Sequence, residues 1–271
     1  MVSTLPETLR NNRTLEILRK ADEGSYGVVA MNVYDIQSAI GTIRAAERTN
    51  SPAIIEIFPV TLHYLGKPGL QCLLSLAKEA KVPIAIHLDH ATTDHDIDTA
   101  LAFAEQGVKF DSIMVDSSHA DTDEENIEIS RKHIERATGL GIACEVELGR
   151  LEGGEAGLRV IADGQLTDPA KASSLPCAER FMRETGATLL APCIGNLHGR
   201  YLSQPKLRFD LLKKLEGICR PAGHYLVMHG TDDLEDQIWL NCIAAGARKV
   251  RALLSFLTVL DMFLLRVELF V

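Results

Sequence analysis

The stretch VPIAIHL, residues 82–88, reads as an apolar strand, and its end carries His87-Leu88-Asp89-His90. Continuous branched and apolar residues, rather than an in–out alternation, mark a strand buried on both faces, as in a parallel sheet. Seven further runs have the same texture: VVAMNV (28–33), PAIIEIF (52–58), DSIMVD (111–116), GIACEVEL (141–148), ATLLAPCI (187–194), HYLVMH (224–229) and a short ARKV (247–250). Between them lie amphipathic stretches of helical period. IQSAIGTIRAAERT (36–49), GLQCLLSLAKEAK (69–81) and IDTALAFAEQG (97–107) each place apolar residues on one stripe. DEENIEISRKHIERATG (123–139) opens on acids and closes on Gly139, which suits the helix dipole and a C-cap. Residues 234–245 also read as helical, and Thr167-Asp168-Pro169 has the form of a helix start.

Strands alternating with helices predict an α/β protein with a parallel sheet, and eight strand-like runs predict closure into a (β/α)8 TIM barrel. An open doubly wound sheet would need a Gly-rich phosphate turn after its first strand, and GVVAMNVYD has none. The 271 residues suit one such barrel, and no Pro/Gly/Ser linker divides them, so residues 1–271 are read as one domain. The longest loop-like stretch, GRLEGGEAGLRVIADGQLTD (149–168), carries Gly153, Gly154 and Gly157 and reads as a lid.

A hydrophobic fraction of 46% with 24% charged residues supports a large core. The net charge of −9 argues against nonspecific nucleic-acid binding and requires a local device, a metal or backbone N–H groups, to hold any anionic substrate. The six Cys form no CxxC pair and read as buried free thiols in a reducing compartment. MVSTLPETLRNNRTLEILRK carries no secretory signal, so the expected location is cytoplasmic. The last twenty residues are apolar, but Asp261, Arg266 and Glu268 interrupt them, which argues against a membrane span.

Active-site groups of such barrels sit at the C-terminal strand ends. Here those ends carry His87-Leu88-Asp89-His90, Asp116-Ser117-Ser118-His119, Glu145-Val146-Glu147, Asn196-Leu197-His198-Gly199 and His229-Gly230. His90, His198 and His229 together suit one catalytic metal ion with an open position. Asp89 should point away from His90, because successive strand residues alternate, and is placed as a proton shuttle or as a partner orienting a ligand. Glu147 and Asp116 are candidates to orient ligands, to bind a second, weaker divalent or monovalent cation, or to remain solvated strand-end acids. His87 is expected to orient neighbours; His63, His95, His133 and His224 have no such placement.

Taken in order, AMNVYD (30–35), HLDH (87–90), SIMVDSSH (112–119), EVELGRLEGG (145–154), IGNLHG (194–199) and LVMHG (226–230) resemble the signature segments of the class II fructose- and tagatose-bisphosphate aldolases, over residues ~27–250. The resemblance implies a zinc-dependent lyase cleaving a ketose 1,6-bisphosphate, such as fructose 1,6-bisphosphate, to dihydroxyacetone phosphate and glyceraldehyde 3-phosphate. It implies a place in glycolysis, a phosphorylated sugar as substrate, no nucleic-acid or membrane partner, and a homodimer or higher homo-oligomer. It implies His90, His198 and His229 as zinc ligands, with Asp116 and Glu147 assisting the metal. Asp89 becomes the acid/base on the C4 hydroxyl, and Glu155, in the lid, a mobile acid at the nucleophilic carbon. Asn32, Gly199, Gly230 and Thr231 become substrate contacts.

Two departures stand out. Asp232 and Asp233 follow Gly230-Thr231 where phosphate contacts are expected, and read instead as helix-capping acids. After GARKV (246–250), Arg251 replaces a substrate-contacting Asn, and residues 251–271 form a divergent tail, so the eighth strand and final helix are expected to be atypical or truncated. A catalytically impaired paralogue that keeps the metal site, and another metal-dependent barrel enzyme, are the alternative readings.

Overall fold

The computed structural model describes residues 5–149, 151, 174–198, 201, 205–231 and 234–252. Its centre is a closed barrel of parallel strands in sequence order. The strands are β1 (Val28–Asn32), β2 (Ala53–Ile57), β3 (Ile84–Ala91), β4 (Ser112–Val115), β5 (Ala143–Leu148), β6 (Leu189–Pro192), β7 (Tyr225–Met228) and β8 (Ala247–Ala252). The helices are α1 (Arg13–Glu23), α2 (Ile36–Arg48), α3 (Pro59–Glu79), α4 (Asp94–Glu105), α5 (Asp123–Gly139), α6 (Leu175–Thr185), α7 (Phe209–Cys219) and α8 (Asp236–Ala244).

Several helix starts have a local cause. Asp35 accepts from the amide of Ser38 in a reciprocal capping box, and the hydroxyls of Thr93 and Thr122 accept from the amides of Asp96 and Glu125. Helix α3 is two helical segments joined at Gly66, whose φ of 61° and ψ of −171° are not helical; the predicted 69–81 falls mainly on the second, which Pro68 opens. The predicted helix start at 167–169, most of the predicted lid and residues 253–271 lie outside the described residues.

The eighth strand runs two residues past the ARKV stub. It pairs with β7 and also with β1, where Ala30 is opposite Arg251 and Met31 opposite Ala252, so no edge is left open. The outward side chains, including Ile55, Ile57, Val250 and Ala252, join the helices in the main core. Inside the barrel Val28, Ala30, Ile54, Ala85, Ala143, Leu189, Ala191 and Val227 form an apolar floor. Leu9, Leu15, Ile17 and Leu18, from the first turns and α1, close that floor from below. Above it the interior turns polar, with Glu56, His87, Glu145 and Lys249 all fully buried. No helix among the described residues is long and apolar enough to cross a membrane.

Candidate metal centre and acid–base site

The strand β3 departs from regular alternation at its end. His90 has φ 48°, and the β3–β4 register shifts between Leu88 and Ala91. This bulge turns His90 to the same side as Asp89, contrary to the expectation that the two point apart. Asp89 Oδ1 lies 4.0 Å from His90 Nε2. A non-glycine residue in the left-handed region is strained by about 1–3 kcal/mol, so the surroundings must hold it. They do: His90 Nδ1 lies 2.7 Å from Asp116 Oδ2, and Asp116 is fixed by the amide and hydroxyl of Ser118 at 3.1 and 2.7 Å. Burial would raise the Asp116 carboxyl, but His90 and Ser118 outweigh it and hold it at about 2.

The three predicted imidazoles come together. His90 and His198 have ring centroids 5.0 Å apart, His90 and His229 4.9 Å, and His198 and His229 5.6 Å. His229 presents Nδ1 to His90 Nε2 at 3.1 Å, while its Nε2 faces Glu145 Oε1 at 2.8 Å. Two of the rings are thus backed by carboxylates, Asp116 and Glu145, which turn the other nitrogen inward. Burial holds the His229 imidazole well below its usual range, hence neutral and able to offer a lone pair. Asn196 ties the neighbouring strand ends together: its Oδ1 accepts from the Ile194 amide and its Nδ2 donates to His229 O.

Glu147 joins this group. One nitrogen or oxygen each from His90, Glu147, His198 and His229 lie within 4.8 Å of one another. Glu147 Oε1 accepts from the Leu151 amide at 2.9 Å, whereas Oε2 is buried without a hydrogen-bond partner among the described residues and lies 3.8 Å from His198 Nε2. A bare buried carboxylate oxygen is costly, and a cation among these four donors removes the cost. Three imidazoles and a carboxylate suit a borderline divalent ion such as zinc. Asp116 supports His90 from behind and is not in this group.

A second cluster, Glu56, His87 and Asp89, also brings its donor atoms within 4.8 Å. Its charge is met by side chains. Lys249 Nζ lies 2.6 Å from both Glu56 Oε1 and Glu145 Oε2, and 3.3 Å from His87 Nε2. Arg251 Nε lies 2.6 Å from Asp89 Oδ2. Burial pushes the Glu56 carboxyl up to about 7, although Lys249 opposes it. Sequence reasoning assigned no role to Glu56, Glu145 and Lys249. Their signal was present: each is a charged residue inside or beside an apolar strand-like run, a placement that demands a buried partner.

Asp89 is fully buried and receives two donors on Oδ2, Arg251 Nε and Asn32 Nδ2 at 2.9 Å. Its Oδ1, the oxygen toward His90, has no hydrogen-bond partner among the described residues. Burial alone would raise this carboxyl; the Arg251 guanidinium, with His90, His229 and Lys249 beyond it, holds it well below the usual range. Asn32 Nδ2 also reaches Glu56 Oε2 at 3.3 Å.

The remaining predicted substrate contacts divide. Gly230 has φ 61°, and a Cβ there would collide with Leu197 O, so the position demands glycine for close backbone approach. Its carbonyl oxygen lies 2.6 Å from the Tyr201 hydroxyl. Thr231 is buried, with its hydroxyl donating to Arg251 O. Gly199, Glu155, Asp232 and Asp233 lie outside the described residues. Phe58, not anticipated, stacks between the half-exposed Tyr34 and His90, at centroid distances of 6.1 and 6.4 Å.

The family described as Fructose-bisphosphate aldolase class-II matches residues 12–252. The fructose-bisphosphate aldolase of Thermus caldophilus is 35% identical over 233 residues, covering 86% of this chain and 72% of its own. A solved chain from Coccidioides immitis superposes with a TM-score of 0.81 at 33% identity, over 94% of this chain and 92% of its own. The YdjI aldolase of Escherichia coli superposes with a TM-score of 0.74 at 26% identity, over 95% and 96%.

Proposed function

This chain belongs to the class II fructose-bisphosphate aldolase family, and from that premise we propose that its barrel mouth cleaves and condenses fructose 1,6-bisphosphate with one zinc ion held by His90, His198 and His229. The observation that carries this reading is the grouping of those three buried imidazoles with Glu147, whose inner oxygen has no other described partner. When bound, the metal supplies Lewis-acid polarisation of the ketone and charge stabilisation as the carbon–carbon bond breaks.

The chain's own groups account for the rest. Asp89, through Oδ1, takes the proton from the C4 hydroxyl in cleavage; the C3–C4 bond breaks, its electron pair stays with C3, and C4 becomes the aldehyde carbon. In condensation the same carboxyl returns that proton. Asn32 holds Oδ2, which leaves Oδ1 for the substrate. Asp116 and Glu145 fix the orientation of His90 and His229. Beneath the site lie the buried polar layer and the apolar floor. Glu155 is proposed, on the resemblance alone, to handle the proton at C3. A cytoplasmic setting in glycolysis and a homo-oligomeric state belong to the same proposal.

A coupled cleavage assay on fructose 1,6-bisphosphate tests it. Turnover should fall to background on exhaustive chelation and return with about one equivalent of zinc per chain. Undiminished turnover in protein shown to be metal-free would refute the metal reading.

A further inference from the structure

One side of the barrel mouth is apolar. Among the described residues the exposed large hydrophobics are Tyr34, Val60 and Tyr64. All three follow the first two strands. Tyr34 comes two residues after β1, and Val60 and Tyr64 lie on α3, which begins two residues after β2. Val60 and Tyr64 are four residues apart and share a helix face. Asp35, next to Tyr34, turns its carboxylate to the α2 cap, where Oδ1 accepts from the Ser38 amide at 2.7 Å and hydroxyl at 2.8 Å.

From the metal centre outward this side carries a row of rings. The buried Phe58 lies 6.4 Å from His90, centroid to centroid, with 17° between the planes, and Tyr34 lies 6.1 Å from Phe58 at 30°. Asp89 and His90 are at the end of β3, which neighbours β2, and β2 neighbours β1. The rings and the acid–base carboxylate therefore share one arc of the mouth. His198 and His229 follow β6 and β7, and Glu147 lies on β5, so they approach from across the barrel. On the aldolase reading this division orients the substrate. The ketone half lies at the metal, and Asp89 Oδ1 acts at C4 while Asn32 of β1 holds Oδ2. The carbons beyond C4 then run along the arc that carries Phe58 and Tyr34.

We propose that Tyr34, backed by Phe58, is the specificity-determining residue for the aldehyde half of the substrate, its ring packing against the carbon chain beyond C4. This inference rests on the aldolase reading and names the residue that selects the aldehyde. An aromatic wall favours an aldehyde long enough to cover it, whereas a short one leaves the ring in water. Tyr34 thus selects by carbon-chain length, independently of the groups that hold the metal.

The test is condensation of dihydroxyacetone phosphate with two aldehydes, glyceraldehyde 3-phosphate and the two-carbon glycolaldehyde. The full chain is compared as wild type, Tyr34→Phe and Tyr34→Ala. Deuterium exchange from solvent into dihydroxyacetone phosphate alone reports on the ketone half. Tyr34→Ala should lose about five-fold in kcat/KM for glyceraldehyde 3-phosphate, through KM, the size of one aromatic contact. Its condensation with glycolaldehyde and its deuterium exchange should match wild type. Tyr34→Phe keeps the ring and should match wild type throughout. An unchanged preference between the two aldehydes in Tyr34→Ala overturns the proposal. An equal loss in Tyr34→Phe also overturns it, since the hydroxyl rather than the ring would be responsible. So do equal losses in exchange and in both condensations, because Tyr34 would then act on the metal centre through Phe58 and His90. Wild-type protein that holds zinc but neither exchanges nor condenses refutes the aldolase reading itself, and this inference with it.

Discussion

His90 shows what a residue-by-residue reading catches and what it misses. The adjacent pair Asp89-His90 was legible as a ligand beside a carboxylate, and strand alternation then predicted opposite directions. The positive φ at His90 cancels that alternation, and no local sequence signal announces it, since even His, which is enriched among non-glycine residues of positive φ, adopts it in only a small minority of cases. Arg251 was legible as an odd residue at a site position, but its partner Asp89 lies 162 residues away in sequence and only the closed barrel reveals the pairing. Two predictions follow at this scale. Asp89→Asn keeps the site's shape and should keep its metal, while cleavage slows by about 10²–10⁴-fold, the usual contribution of a general acid–base group. Wild-type turnover would reduce Asp89 to a counter-ion for Arg251. Asp116→Asn should instead weaken metal affinity by about 10–100-fold, the usual cost of losing the group that orients a ligating imidazole. If the metal is held as tightly as before, the 2.7 Å contact with His90 Nδ1 does not support ligation.

At the scale of elements, the strands were legible because buried parallel strands demand unbroken apolar runs, and these recur between amphipathic stretches along residues 28–250. Their ends shifted by up to three residues, most usefully at β3, which continues through the site residues to Ala91. Helix α5 matched its predicted span because acids at its start, an apolar stripe and a terminal glycine agree with one another. Helices α6 and α7 were not assigned, although their buried positions, Ala178, Phe181, Met182 and Thr185 in one and Leu211, Leu212, Leu215, Glu216 and Cys219 in the other, recur at helical spacing. Helix α1 was read only as a polar leader; its five buried positions are spaced among charged residues that dominate the composition. The thiols illustrate the same limit. Cys144, Cys193, Cys219 and Cys242 are buried as expected, but Cys72 in α3 is exposed. Burial pushes the thiols of Cys219 and Cys242 up to about 12. Brief alkylation of the native protein at pH 8 should therefore label Cys72 before these. Peptide mapping that finds Cys219 or Cys242 labelled as fast would mean that the helices carrying them open readily.

Across the whole molecule, the floor and the site are joined by one polar chain. Thr14 of α1 contacts Ser112 at 2.9 Å, Ser112 contacts His87 at 2.8 Å, and His87 meets Lys249 at 3.3 Å. Lys249 reaches Glu145 at 2.6 Å, which holds His229 at 2.8 Å. The helix that closes the barrel from below is thus connected to a candidate metal ligand near the top. Its hold on the barrel, however, is apolar. Leu9, Leu15, Ile17 and Leu18 are all nearly fully buried against the floor, each contributing on the order of 2 kcal/mol. Together that rivals the whole stability of an ordinary domain, about 5–15 kcal/mol. Leu18 has no exposed surface and no polar role, so it isolates this contribution. Leu18→Ala leaves a cavity under the floor and should cost about 2–5 kcal/mol. In a chain of this size that lowers the melting temperature by roughly 5–15 °C. The zinc dissociation constant at 25 °C should stay within about two-fold of wild type, because packing losses at separated sites are close to additive. A large drop in metal affinity without a drop in melting temperature would reverse the assignment, making α1 part of the site's positioning apparatus rather than the plug that keeps the barrel closed.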